Sequence, residues 1–121
     1  MSQENVEIVR QVYEAVARGD SAAVLALYDE EVELDATRLP ETRLIGSGLA
    51  RGHEGMRRFH QDWDEAWERA QDECEELIDA DEHVISVVAR RGLGRASGLR
   101  VNAQRAGVWT IRDGKVVRVV W

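Results

Sequence analysis

The spacing of apolar positions changes along the chain, dividing it into a mostly helical first half and an extended second half. Val6, Val9, Tyr13 and Val16 recur every three or four residues, with Val12 beside them, and predict an amphipathic helix over residues 3–18. Ser2 can cap its start, Glu4 and Glu7 suit the positive end of the helix dipole, and Gly19 can supply a left-handed stop. Asp20 then caps a shorter helix, about Ser21 to Tyr28, with Val24, Leu25 and Leu27 inward. Glu31 to Ala36 alternates as a strand, with Val32, Leu34 and Ala36 on one face and Glu33 and Asp35 on the other. Thr37 to Arg51 has no sustained period and holds the only proline, Pro40. So long an irregular run is either a lid or binding loop, or a passage around the sheet edge. Met56, Phe59, Trp63, Ala66, Trp67 and Ala70 then form one stripe of a third helix, from Gly52 to about Ala70.

The remainder is β. Asp72 to Asp79, His83 to Arg91, Leu99 to Arg112 and Lys115 to Trp121 read as four strands, with a bend or bulge expected near Gly107. Asp113-Gly114 between two β-branched and aromatic runs is a strong hairpin signal, because a type I′ turn needs positive φ at both positions. Phe59, Trp63 and Trp67 can each bury roughly 150–250 Å². That is more than a flat helix-on-sheet contact asks of one helix, so either the sheet curves around it or the aromatics line a cavity.

Charge narrows the classes of partner. The net charge of −7 argues against nucleic acid, which requires a basic surface. Residues 1–88 hold 22 acidic and 8 basic side chains, whereas residues 89–121 hold 1 acidic and 8 basic. Either the Arg-rich strands lie beside acidic elements, or they present a patch to an anionic partner. No apolar run approaches the roughly 20 residues of a spanning helix, so no membrane partner is expected. The N-terminus lacks a leader pattern and Cys74 is the lone cysteine, which makes a reducing cytoplasm the expected location.

The phrases Y-E-A-V-A-R-G-D-S (Tyr13 to Ser21), A-L-Y-D-E-E-V-E (Ala26 to Glu33), R-G-H-E-G-M-R-R-F (Arg51 to Phe59) and V-W-T-I-R-D-G-K-V-V-R (Val108 to Arg118) carry a resemblance over essentially the whole chain. Together with the element order, they resemble the SnoaL-like, ketosteroid-isomerase-like branch of the nuclear transport factor 2-like superfamily. The resemblance implies an α+β fold: a cone-shaped roll of strongly curved, mostly antiparallel sheet wrapped around three N-terminal helices as a single domain. It also implies a largely apolar pocket and subunit pairing through the outer sheet face, here the face bearing Val108, Val116 and Val120. The family spans isomerases, polyketide cyclases, hydrolases, dehydratases and binding proteins, so fold alone does not supply function. Aligned on this chain, the isomerase tyrosine falls on Val12 beside Tyr13, the base on Ala36 beside Asp35, and the third acid on Gly107. None of the three roles is filled in that register. Members of the family run on past the position of Trp121, so the end is either trimmed or leaves a more open pocket mouth.

The expected guest is therefore a small apolar organic molecule, met by Tyr13, Leu34, Phe59, Trp63, Arg105 and Trp109. Tyr13 is either a core tyrosine or a pocket donor. Arg105 shares a strand face with Ala103, Gly107, Trp109 and Ile111, where a guanidinium needs a carboxylate or an anionic ligand. A bulge would put Gln104 in its place. Asp35 and His53 are the candidate bases. His53, His60 and His83 have no metal-ligand spacing, and no cofactor motif occurs.

Overall fold

The computed structural model describes residues 2–121, with side chains from residue 3 onward. Helix α1 (Ser2–Ala17) ends where Gly19 adopts φ 70°, its N–H on the Val16 carbonyl and that of Asp20 on the Ala15 carbonyl. The cap expected of the Ser2 side chain lies outside the described residues. Asp20 caps α2 (Ser21–Leu27), its Oδ1 accepting from the Ala23 N–H at 3.0 Å. Strand β1 (Tyr28–Asp35) follows without a linker, starting before the alternating pattern does. Tyr28, expected to end a helix, is instead buried and paired with Val116, and a register shift before Glu33 restores the alternation.

The irregular connection contains a 3₁₀ turn (Pro40–Leu44) and a short strand β2 (Leu49–Arg51) antiparallel to β1. Helix α3 (Gly52–Ala66) stops before its expected end at Ala70, and Trp67 is already extended at φ −109°, ψ 134°. No glycine or proline stops it. The turn at residues 95–97 does: the Arg95 N–H bonds the Ala66 carbonyl, and its guanidinium donates to the carbonyls of Glu65 and Trp67. Trp67 therefore opens β3 (Trp67–Ala80), which is followed by β4 (His83–Gly94), β5 (Arg100–Arg112) and β6 (Lys115–Val120). Asp113 and Gly114 take φ 51° and 75°, as a type I′ hairpin requires.

The six strands form one curved sheet in the order β2-β1-β6-β5-β4-β3, antiparallel throughout except for β1 with β6. Register shifts in β1, β3 and β6 bend and twist the strands. Helix α1 packs over β3, β4 and β6, and α3 over β1, β2 and β3, closing the concave side of an α+β cone. Val9, Val12, Val32, Val84 and Val116 are fully buried there.

Two expectations for the sheet are corrected. Gly107 makes no bulge in β5; it pairs in register with Ser86, and the register shift lies between Thr110 and Ile111. The glycine serves close approach, since a Cβ there would sit 3.1 Å from both the Ser86 hydroxyl and the Trp121 ring. Val116 is fully buried rather than on the outer face, because the shift in β6 reverses its direction. Across the outer face, Ile85, Val108 and Val120 stand side by side in register. Among the described residues, no helix is long and apolar enough to cross a membrane.

Candidate functional site

On the concave face, alternate residues of β4 (Val84, Ser86, Val88, Arg90) meet alternate residues of β5 (Trp109, Gly107, Arg105, Ala103). The end under α1 is apolar with one polar knot. Tyr13 Oη and Trp109 Nε1 each donate to the buried Ser86 hydroxyl at 2.9 Å, and the two rings meet edge to face. Burial raises the Tyr13 pKa, so the phenol stays protonated.

The other end holds a charged cluster. Arg90, 6% exposed, donates from Nε and Nη2 to the two Asp72 oxygens at 2.9 and 3.0 Å. Its Nη1 reaches Glu41 Oε2 at 3.3 Å. Arg105 grips the same Glu41 carboxylate with its own fork, Nε to Oε2 and Nη2 to Oε1, both at 3.0 Å. Glu41 itself is 1% exposed, although it comes from the 3₁₀ turn and not from the wall of the cone. Two guanidinia thus face two carboxylates, and the cluster is neutral.

Aromatic rings flank its Arg90 end. The Arg90 guanidinium lies 4.9 Å from the Trp63 ring centroid and 5.2 Å from that of Trp121. Trp63 in turn stacks on Phe59 and tilts against Trp67, while Trp121 meets Trp109 edge to face. Trp67 is buried over Gly92, and its indole N–H is the one buried side-chain donor or acceptor left without a partner among the described residues.

Each expected site residue has a definite place. Tyr13, Trp109, Phe59, Trp63 and Arg105 all stand on the enclosed face, and Leu34 is buried in the adjoining core. The Arg105 fork is already filled by Glu41, and Gln104 points outward to Glu75. Asp35 lies elsewhere, at the end of β1, where it accepts from the N–H and hydroxyl of Thr37. Those bonds hold its pKa below the usual range, which suits a fixed carboxylate better than a base. His53 spends Nε2–H on the Tyr28 carbonyl at 2.9 Å. Glu41, Asp72, Arg90, Ser86 and Trp121 were not anticipated. Arg90 carried a readable signal, sharing its parity with Val84, Ser86 and Val88.

Two hollows open on the surface away from the cluster. One, of about 310 Å³, lies among Leu34, Asp35, Leu49, Arg51 and Arg118; the other, of about 380 Å³, lies between α1 and β3 beside Tyr13 and Cys74. Cys74 donates to the Glu76 carbonyl at 3.7 Å, and burial raises its pKa, so the thiol is not activated.

Burial pushes the Glu41 carboxyl up, but bonds from Arg105 and from its own N–H, with Arg90 nearby, outweigh that and hold its pKa below 4.5. A depressed folded-state pKa gives stability that is fully present above the unfolded value and lost as pH falls through the folded one. Urea unfolding is therefore expected to show stability declining below about pH 4.5, with a shallower decline in Glu41→Gln. Equal slopes for the two proteins would remove Glu41 as a titrating support.

A family model described as a SnoaL-like domain matches residues 9–119. Among solved structures, an NTF2-like protein from Burkholderia thailandensis is 26% identical with a TM-score of 0.82, over 95% of this chain and 86% of that one. An NTF2-like protein of unknown function from Burkholderia pseudomallei is 23% identical, with a TM-score of 0.83 over 97% and 88% of the two chains. TerC co-crystallised with polyporic acid is 21% identical, with a TM-score of 0.81 over 97% and 88%. No curated protein matches the chain. With the curved six-stranded sheet, its three helices and a family match over nearly all its length, the chain belongs to the SnoaL-like domain family of the NTF2-like superfamily.

Proposed function

We propose that the cone takes a small, largely apolar organic molecule against Phe59, Trp63 and Trp109, oriented by the arginine cluster. The observation that carries this reading is the set of side chains brought together: packed aromatic rings around a few convergent polar heads, the composition of small-ligand sites. The unpaired Trp67 N–H adds to it, since an acceptor on the guest would relieve a cost of roughly 1–3 kcal/mol. TerC, with the same fold, has been co-crystallised with polyporic acid.

Binding is the part of this reading that the named side chains support, and neither expected base is free for acid–base chemistry. An acid–base enzyme needs a free carboxylate or imidazole at the reacting atom. Asp35 and His53 are committed to local hydrogen bonds, and Glu41 and Asp72 are already neutralised by guanidinia. A lone, unactivated cysteine fits a cytoplasmic setting. A second reading, homodimerisation through the outer sheet face, has its own support in the row Ile85–Val108–Val120, where Val108 is 38% exposed.

Titration with 8-anilinonaphthalene-1-sulfonate is expected to give saturable fluorescence at one site per chain, and Phe59→Ala to weaken it on the order of tenfold. No saturable binding, or binding indifferent to Phe59, would contradict the ligand reading. Light scattering is expected to return a dimer mass, and Val108→Glu a monomer; a monomeric parent protein would end the second reading.

A further inference from the structure

We propose that the Glu41 carboxylate occupies the seat of a ligand's own anionic head, so that the guest is an aromatic or polycyclic organic carboxylate that enters as the Pro40–Leu44 turn moves out. This rests on the small-molecule reading above and specifies its ligand class. Glu41 is the one member of the cluster not mounted on the sheet. It is carried by a five-residue 3₁₀ turn between β1 and β2, with Arg38, Pro40 and Arg43 exposed around it. The other three members stand on paired strands. Asp72 holds Arg90 through two bonds, and Arg105, whose side-chain bonds all go to Glu41, is carried by a strand of unbroken register there.

Charge selects the guest. If Glu41 leaves and a neutral molecule enters, two guanidinia remain against one carboxylate, one of them the buried Arg90, at a cost. When another carboxylate enters, the balance is unchanged and the displaced Glu41 is rehydrated outside. The Arg105 fork presents two donors 3.0 Å from the Glu41 oxygens, a spacing that any planar carboxylate meets equally well. An aromatic body then has the stacked Phe59 and Trp63 rings beside it. Because Glu41 is tethered, it competes at high effective concentration and lowers the apparent affinity for every anion.

Calorimetry with 2-naphthoate and its neutral counterpart 2-naphthamide separates the cases. The wild-type protein is expected to bind naphthoate at least about tenfold more tightly than naphthamide, and Glu41→Gln to tighten naphthoate by a further tenfold or so while leaving naphthamide unimproved. A readout on the wild-type chain is independent of how the variant folds. Trypsin is expected to cut after Arg38 and Arg43 faster with naphthoate present, and at an unchanged rate with naphthamide. Equal affinity for the two probes, a natively folded Glu41→Gln that does not gain naphthoate affinity, or cleavage indifferent to naphthoate each overturns the proposal. Should 8-anilinonaphthalene-1-sulfonate bind saturably while the two naphthyl probes bind alike, only this inference falls. If none of the three binds, the small-molecule reading falls with it.

Discussion

Arg90 puts a guanidinium on the face of β4 that has to be dry, between Val88 and the glycines at the strand end, and much of the interior is arranged around that charge. An isolated ion there would cost far more than the stability of a domain this size. The charge is tolerated because Asp72 on the neighbouring strand meets it with both oxygens, Glu41 meets it from a connecting turn, and two tryptophan rings pack against it. Each partner imposes a demand of its own. Trp121 needs the space that Gly107 leaves open, Trp63 needs α3 to reach the rim, and Glu41 needs a second guanidinium, which Arg105 supplies. A buried ion pair adds little stability compared with an apolar replacement, but removing one partner costs several kcal/mol. The cluster therefore fixes how the cone closes more than how firmly it holds.

Where structure follows from local chemistry, it was legible in the residues. The Gly19 stop, the Asp20 cap, the Asp113-Gly114 hairpin and the four-strand meander each rest on neighbours within a few positions. The end of α3 was not legible. The helix periodicity runs on through Trp67 and Ala70, and the stop is made by Arg95, 28 residues beyond Trp67. The same holds for the site. Arg105 was identifiable as an arginine on an apolar face, and Arg90 satisfies the same criterion by its parity. What no spacing rule reaches is which acids answer them. Asp72 sits on the exposed edge strand, and Glu41 is 49 residues from Arg90, in a turn without any period.

The sign asymmetry of the chain gains a physical meaning here. Two of the eight basic residues in the C-terminal stretch, Arg90 and Arg105, are turned inward and neutralised by acids of the first 88 residues. What they make is a receptor for carboxylate, filled in this structure by the chain's own. The aromatic rings and the fork remain on rigid strands and a helix, while the occupant comes from the least regular segment of the fold. An occupant carried by a connecting turn rather than by the sheet is what an exchange with an outside molecule requires.

The claim on which all of this depends is that Glu41 and Arg105 are energetically joined inside the cone. A double-mutant cycle of Glu41→Gln and Arg105→Gln, read by urea unfolding at neutral pH, measures that directly. The expected coupling is about 2 kcal/mol, with the double variant less damaged than the sum of the singles. Additivity to within about 0.5 kcal/mol would mean that the two groups do not feel each other, and the buried cluster would cease to explain the fold or its guest.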